Sequence, residues 1–309
     1  MTARTFTFGL AAAAIVMAAA ALPRAALADL NVFACEPEWA SLVKEIGGDK
    51  VTIYTATTAA QDPHHIQARP SLIARARSAD LMVCTGAELE IGWLPAVQRQ
   101  AGNPKVQSGA KGYVEAASFV RMLDVPTNLD RSQGDVHAAG NPHIQSDPRN
   151  IALVARPLAE QMAEIDPGNA ALYRTRYADF AQRWSAAMQR WQQKAEPLRG
   201  LPVATQHKTW IYLFDWVGLR ETVTLEPKPG VPPSSGHLAL VLDAVHKQPV
   251  RMVIRSNYED PRPADFLRDR AKVPLVVLPA TVGGSDKAND LFGLYDDILD
   301  RLLAALRAG

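Results

Sequence analysis

Two blocks of alternating strand and helix patterns, separated by one long helical pattern, constrain this chain more than any other feature. The first block occupies residues 30–122 and the second begins after Gly200. In each block, short apolar runs typical of buried strands alternate with helical patterns. This alternation predicts parallel sheets wrapped by helices. In such sheets, ligands bind beyond the carboxyl ends of the strands, so the loops that follow the strands are the candidate site.

The predicted elements can be given by residue number. In the first block, strands are predicted at residues 30–35, 51–57 and 81–84, and helices at 37–46, 71–78 and 88–98. In the second block, strands are predicted at residues 203–206, 222–225, 250–254 and 275–278, and helices at 210–217, 238–246, 264–271 and 290–307. Within the helical run that follows Asp147, Pro157 is expected to kink the helix or to shift its start.

The long helical pattern lies at residues 168–196. Its apolar face consists of side chains spaced three or four residues apart: Tyr173, Tyr177, Phe180, Trp184, Met188 and Trp191. A helix of this length spans about 40 Å, enough to run along a two-lobed molecule. The predicted fold is therefore α/β, with two Rossmann-like lobes (residues 29–167 and 198–309) joined by one linking helix (residues 168–197).

The first 28 residues are predicted to be a cleaved secretory signal peptide. Arg4 precedes an apolar run at residues 8–22, and Ala26-Leu27-Ala28 provides a small-x-small cleavage site. A membrane anchor is the alternative, but Pro23 ends the apolar run before it is long enough to span a bilayer. The residue directly after the cleavage site is Asp29 and not cysteine, so lipid anchoring is not expected there. The mature protein is predicted to be periplasmic.

Charge and cysteine content limit the possible partners. The formal net charge is +1 and the chain has no basic block, which argues against a nucleic-acid partner. Cys35 and Cys84 lie near the ends of two predicted strands. Export permits a disulfide between them, and two buried thiols are the alternative.

Three histidines lie at similar positions, where a loop or strand leads into a helix. They are His64 in Asp62-Pro63-His64, His143 in Asn141-Pro142-His143, and His207 at the end of a predicted strand. Neutral imidazole is a good zinc ligand, and zinc prefers four ligands in a tetrahedron. This pattern predicts a metal site formed by the three side chains, with local helix capping as the alternative.

The loop after the last predicted strand is expected to provide a fourth ligand. Asp286 follows Gly283-Gly284, which permits a tight turn, and is preferred over Asp290, which begins the last helix and is a candidate cap. His137 is interpreted as a solvated loop residue rather than a second metal-catching group. Asp62 and Asp147 either orient ligand imidazoles or cap turns and helices.

Together these motifs resemble the metal-binding solute receptors of ABC importers, the group that carries zinc and manganese. The resemblance rests on Asp-Pro-His, on Asn-Pro-His followed by Asp-Pro-x-Asn, on the long central helix, and on His207 before an aromatic helix. The Thr-Val-Gly-Gly turn and Asp290-Leu291-Phe292 resemble one zinc-receptor subgroup. The resemblance implies metal held between two lobes, by His64 and His143 from the first lobe and by His207 from the second.

The resemblance also favours zinc, because manganese receptors usually have a carboxylate where His207 stands. One departure is that the loop at residues 126–140 contains only His137 and lacks the long His- and acid-rich loop of many zinc receptors.

The predicted function is that of a periplasmic receptor that binds Zn²⁺ as its transported ligand and delivers it to a cognate ABC permease in the inner membrane. A monomer is expected, and a metallochaperone is a further candidate partner. The chain is predicted not to be an enzyme, since it lacks His-Glu-x-x-His. The alternatives are an exported zinc-dependent hydrolase and a receptor for manganese or a chelated metal. Zinc affinity is expected to fall as pH drops through about 6.5, the pKa of free histidine.

Overall fold

The structure is a computed structural model that describes residues 1–2, 29–127 and 134–308. The predicted signal peptide lies almost wholly outside the described residues. Within the described ranges, no helix combines the length and apolar character that a membrane crossing requires.

The first half of the chain forms a four-stranded parallel sheet. Its strands are β1 (Leu30–Ala34), β2 (Val51–Thr55), β3 (Leu81–Cys84) and β4 (Tyr113–Glu115), in the order β2-β1-β3-β4. Helices α1 (Pro37–Gly47), α2 (Pro70–Ser78) and α3 (Leu94–Ala101) connect or follow these strands, and α4 (Pro148–Ile165) follows the sheet. Because all four strands are parallel, their carboxyl ends share one edge of the sheet.

The second half repeats this architecture. Its strands are β5 (Pro202–Thr205), β6 (Arg220–Thr224), β7 (Met252–Ser256) and β8 (Leu275–Leu278), all parallel, in the order β6-β5-β7-β8. The associated helices are α6 (Ile211–Val217), α7 (Ser235–Lys247), α8 (Pro261–Ala271) and α9 (Leu291–Ala308). The predicted pair of α/β lobes with parallel sheets is therefore confirmed.

The long helix α5 (Ala170–Ala195) joins the two halves. It packs against α1 and α4 of the first half and against α9 of the second. Its buried face includes Trp184 and Trp191, whose rings contact Phe292 and Tyr295 of α9. The aromatic cluster thus fixes the linking helix to the second half, while α1 and α4 fix it to the first.

One local prediction differs from the structure. The helix predicted at residues 88–98 begins only at Leu94, because Gly86, Ala87 and Glu88 have positive φ values of 77°, 49° and 67° and form turns. The carboxylate of Glu90 accepts hydrogen bonds from backbone amides at residues 85 and 86, which stabilises this irregular segment. Helix α4, in contrast, begins at Pro148 and continues through Pro157.

Cys35 and Cys84 form a disulfide, with their Cα atoms 4.8 Å apart. Both residues are fully buried at the carboxyl ends of the neighbouring strands β1 and β3. Of the two alternatives for this pair, the structure selects the cross-link, which ties together the edge of the sheet from which the candidate site is built.

Candidate metal centre

His64, His143 and His207 converge on one point. One ligand atom from each side chain can be chosen so that all three lie within 4.8 Å of one another. The Nε2 atoms of His143 and His207 are 3.3 Å apart. The Nε2 atom of His64 is buried and has no hydrogen-bond partner among the described residues. The three side chains come from separate places in the chain: the loop after β2, the segment before α4, and the end of β5. Both halves of the molecule therefore contribute to one cluster.

A compact turn orients His64. Asp62 Oδ1 accepts hydrogen bonds from the backbone nitrogen of His64 at 3.0 Å and lies 2.7 Å from its ring Nδ1. Trp93 Nε1 donates to the carbonyl of Pro63 at 2.9 Å, which fixes the turn against the first half. The carboxylate at Nδ1 leaves Nε2 free to face the cluster. Asp62 therefore orients the imidazole of His64, which is one of the two roles that the sequence suggested for it.

His143 is the most deeply buried of the three, with 1% of its surface exposed. Its backbone nitrogen donates to Asn141 Oδ1 at 3.0 Å, and Asn141 Nδ2 donates to the carbonyl of Lys208 at 2.8 Å. Asn141 therefore connects the His143 segment to the residue that follows His207, across the two halves.

Glu226 orients His207 and was not identified from the sequence. Its Oε2 atom lies 2.7 Å from His207 Nδ1. His207 follows β5 and Glu226 follows β6, and these strands are neighbours with parallel register. A correct prediction of strand order would therefore have placed these two residues side by side. Glu259, which follows the other neighbour β7, adds a further acid near His207.

The surroundings shift the pKa values of His143 and His207 in opposite directions. Burial, together with the neighbouring imidazoles, lowers the pKa of His143 well below its usual range. Burial alone would also lower the pKa of His207, but the hydrogen bond and charge of Glu226 raise it above the ordinary value. For Asp62, burial would raise the pKa, but the hydrogen bond and charge of His64 lower it. His143 is therefore neutral, as a ligand must be, whereas His207 gains a proton more readily.

This donor set fits a divalent cation. Two imidazoles carry a carboxylate at Nδ1, which favours the tautomer whose Nε2 lone pair points into the cluster. The two carboxylates, Asp62 and Glu226, also carry a formal charge equal and opposite to that of a divalent ion. A bound ion would give the buried Nε2 atom of His64 the partner that it lacks within residues 29–127 and 134–308.

The structure does not bring Asp286 to the histidines. Asp286 is exposed. Among the described residues, the group of side chains here that could hold a metal ion consists of the three histidines. Its loop folds on itself: Gly283 N donates to the carbonyl of Ala288 at 2.6 Å, and Ser285 Oγ donates to Asp297 at 2.6 Å. These bonds hold Ser285 against α9 and leave Asp286 in solvent. Asp290 caps α9, where its Oδ1 accepts from Gly293 N at 2.7 Å.

His137 lies beside the cluster rather than in a solvated loop. Its ring centroid is 5.3 Å from that of His64, and its side chain is half-buried. It lines a cavity of about 350 Å³ together with His143, His207 and Glu226. Burial lowers the pKa of His137 to about 4, assisted by its neighbour His64. The sequence did not predict this position because it depends on the path of a loop without periodic structure.

Asp147, the other candidate orienting acid, caps a helix instead. Its Oδ1 accepts from Arg149 N at 2.8 Å at the start of α4, and its carboxylate pairs with the Arg149 guanidinium. The capping interpretation is therefore the one that the structure supports.

Comparison with known proteins shows which family this chain resembles. Residues 32–307 match the family described as "ZnuA: Zinc-uptake complex component A periplasmic". A metal ABC transporter substrate-binding lipoprotein, ScbA of Streptococcus cristatus, is 26% identical over 157 residues, which are 51% of this chain and 48% of that protein. The manganese ABC transporter substrate-binding lipoprotein PsaA of Streptococcus pneumoniae is 22% identical over 241 residues, 76% of this chain and 74% of that protein. This chain thus spans about half the length of most of the curated relatives that it matches.

Solved structures share the fold. A crystal structure of ZnuA superposes with a TM-score of 0.72 at 20% identity, covering 88% of this chain and 99% of that one. FpvC from Pseudomonas aeruginosa in complex with Mn²⁺ gives a TM-score of 0.74 at 21% identity, covering 91% of this chain and 99% of that one. The family and these neighbours are solute-binding proteins and not enzymes, as the sequence predicted. Since the family match extends over nearly all of the residues beyond the predicted signal peptide, the chain belongs to the ZnuA family of periplasmic metal-uptake components.

Proposed function

We propose that this protein is a periplasmic receptor that binds zinc through His64, His143 and His207 and delivers it to an ABC permease in the inner membrane. The observation that carries the proposal is the convergence of three imidazoles from both halves of the molecule, two of them held by carboxylates at Nδ1. Zinc is the transported ligand rather than a resident cofactor. The proposal includes a monomeric receptor, with a metallochaperone as a further candidate partner.

The choice of zinc follows from donor chemistry. Imidazole nitrogen suits zinc, whereas manganese prefers carboxylate, carbonyl and water oxygen. Within the described chain, the group at this place contains only nitrogen donors. Manganese is the second candidate, since relatives such as PsaA are named as manganese-binding proteins.

The fourth coordination position separates two versions of the proposal. Asp286 lies on an exposed loop that hydrogen bonds of Ser285 and Gly283 hold in place, and it is not part of the histidine group in the described chain. We therefore propose the three histidines as the protein ligands, with a water molecule in the fourth position. Asp286→Ala is then expected to retain zinc affinity to within about threefold, while loss of a true ligand should cost far more.

The test is metal titration of the mature protein after chelator treatment, with elemental analysis of the loaded form. We expect one zinc per chain, bound more tightly than manganese. His143→Ala should weaken zinc binding by at least about 100-fold. His246→Ala, which alters an exposed histidine on α7, is the matched control and should bind as the wild type does.

Three results would contradict parts of this proposal. Tighter binding of manganese than of zinc would assign the receptor to manganese. Equal zinc binding by His143→Ala and the wild type would make the three histidines structural. A large loss of affinity in Asp286→Ala would restore that carboxylate as the fourth ligand.

A further inference from the structure

One carboxylate oxygen of Glu226 accepts two hydrogen bonds from different parts of the molecule. Its Oε2 atom lies 2.7 Å from His207 Nδ1 and 2.9 Å from the backbone nitrogen of Gly230. Gly230 belongs to a tight hairpin in which Val231 N donates to the carbonyl of Lys228 at 3.0 Å. Glu226 therefore connects a proposed metal ligand directly to the backbone of this hairpin.

The hairpin in turn contacts the first half of the chain. Asp135 N donates to the carbonyl of Pro229 at 2.9 Å. Gly134 and Gly230 make the close approach possible, because both have positive φ (87° and 72°) and neither has a side chain. A Cβ atom at Gly134 would lie 2.2 Å from Pro229 O, and one at Gly230 would lie 2.0 Å from Asp135 Oδ2. We call this contact between residues 134–137 and 228–231 the strap.

The strap borders the cavity that leads to the histidines. Asp135, His137 and Pro229 line the same cavity of about 350 Å³ as His143 and His207. On its other side, the loop is held to the first half, since Ala138 N donates to Glu88 Oε2 at 2.8 Å. Opening the strap would therefore expose the cavity and the metal cluster beyond it.

We propose that Glu226 is a positioning residue that couples metal binding at His207 to closure of the strap. A metal ion on Nε2 fixes the tautomer that carries hydrogen on Nδ1 and makes that hydrogen a stronger donor to the carboxylate. The carboxylate is then held where it also accepts from Gly230 N, which keeps the Pro229 carbonyl in reach of Asp135. By linkage, a closed strap strengthens metal binding to the same extent.

This inference rests on the proposed function, because it requires a metal ion at His207. Asp62 provides a matched comparison within the chain. It holds His64 Nδ1 at the same distance of 2.7 Å, and neither residue belongs to the strap. Removal of either carboxylate should weaken zinc binding about 10- to 100-fold, but only removal of Glu226 should disconnect the strap.

The experiment is hydrogen–deuterium exchange of residues 134–140 and 227–231, with and without saturating zinc. Zinc stoichiometry is measured first on each sample. In the wild type and in Asp62→Ala, zinc should slow exchange of the Asp135 and Gly230 amides at least about tenfold. In Glu226→Ala at full zinc occupancy, this zinc-dependent protection should be lost. Unchanged exchange in α5 would show that the variant is folded.

Two further variants keep the test decisive if Glu226→Ala does not fold. Glu226→Gln retains an acceptor oxygen but not the charge, and should retain only part of the zinc-dependent protection. Gly134→Ala forces the strap apart without touching Glu226, and should speed zinc release about tenfold or more. Zinc-dependent protection equal to that of the wild type in both Glu226 variants, at full occupancy, would overturn the inference. Failure of the wild type to bind zinc would instead overturn the proposed function.

Discussion

Three buried glutamates lie close to one another: Glu36, Glu38 and Glu90 are each at most 3% exposed. Burial raises the pKa of Glu38 and of Glu90 to about 7, and that of Glu36 well above its usual range. Glu38 also accepts a hydrogen bond from Thr281, which follows β8 in the second half. A carboxyl group whose pKa is raised to about 7 therefore lies at a contact between the two halves.

Replacement of Glu38 by glutamine should stabilise the protein at alkaline pH. The folded state raises the pKa of Glu38 from 4.5 to about 7, so folding binds a proton between these values. The stability that this proton provides is complete below pH 4.5 and is lost as pH rises through 7. The amide of Glu38→Gln does not ionise, so the variant does not lose this stability at high pH. Its side-chain oxygen still accepts a hydrogen bond from Thr281. We expect a gain of up to about 3 kcal/mol at pH 8.5 and little change at pH 4.5.

Urea denaturation at the two pH values measures this effect. Glu45→Gln, which changes a glutamate on the same helix α1, is the control and should show no comparable gain at pH 8.5. Equal free energies of unfolding for Glu38→Gln and the wild type at pH 8.5 would show that the carboxylate of Glu38 is accommodated without cost.

The convergence of the candidate ligand residues was predictable where a regular strand determines their position. His64 and His207 follow strands, and the carboxyl ends of parallel strands meet at one edge of a sheet. Glu226 and His137 were missed for different reasons. The contact of Glu226 depends on which strand is the neighbour of β5, and the contact of His137 depends on the course of a loop. Neither the strand order nor the loop path has a periodic signal in the sequence.

At the scale of elements, the disulfide joins β1 and β3, and the residues that follow these two strands contact each other. β1 leads to Glu36 and β3 leads to Thr85, and Thr85 Oγ1 donates to Glu36 at 3.1 Å. Cys35 and Cys84 are 49 residues apart in sequence. Since the cross-link closes a long loop, it should limit the unfolded chain more than it changes the folded sheet.

The double variant Cys35→Ala, Cys84→Ala should therefore be less stable by up to about 4 kcal/mol, while it still binds one zinc per chain. Chemical denaturation with and without reductant measures this loss. Reductant should destabilise the wild type toward the value of the variant and should leave the variant unchanged. Loss of zinc binding in the folded variant would mean that the disulfide shapes the metal site itself.

The predicted strands and most of the predicted helices lie within a few residues of the observed ones, because their apolar periodicity is strong. The short strand β4 was not predicted. The helix predicted at residues 88–98 shows the limit of this method. Glu88, Leu89 and Glu90 are compatible with a helix by composition, but Glu90 turns its carboxylate toward the amides at residues 85 and 86. Hydrogen bonding of the Glu90 side chain to these backbone amides thus overrides the local helix propensity.

For the whole molecule, contacts between the halves surround the histidine cluster. Asn257 Nδ2 donates to the carbonyl of Ala59 at 2.6 Å, and Asn141 links to Lys208. Helix α5 and its aromatic cluster hold the same two halves together from another side. A metal ion bound by His207 together with His64 would add one more link between the halves, so its binding energy should stabilise the entire fold.

The stabilisation of the molecule by zinc should therefore depend on pH. Zinc must displace the proton of His207, whose pKa the bond to Glu226 raises above 6.5. At a fixed excess of zinc, the rise in melting temperature should be largest near pH 8 and should decrease as pH falls through that raised value. At 100 times the dissociation constant, the gain is about 2.7 kcal/mol.

Calorimetry between pH 5.5 and 8 measures this dependence. In Glu226→Gln, the decrease should begin at lower pH, because the variant lacks the charge that favours protonated His207. The same rise in melting temperature at pH 5.5 and pH 8 would contradict binding through imidazole.

A cation held by three imidazoles has room for a fourth donor. A side chain of an accepting protein can bind the ion before the first histidine dissociates from it, so that transfer proceeds by exchange of ligands. Free ions need not appear between donor and acceptor. Tight retention and rapid handover then become compatible, since the rate is set by the encounter with the acceptor and not by spontaneous dissociation.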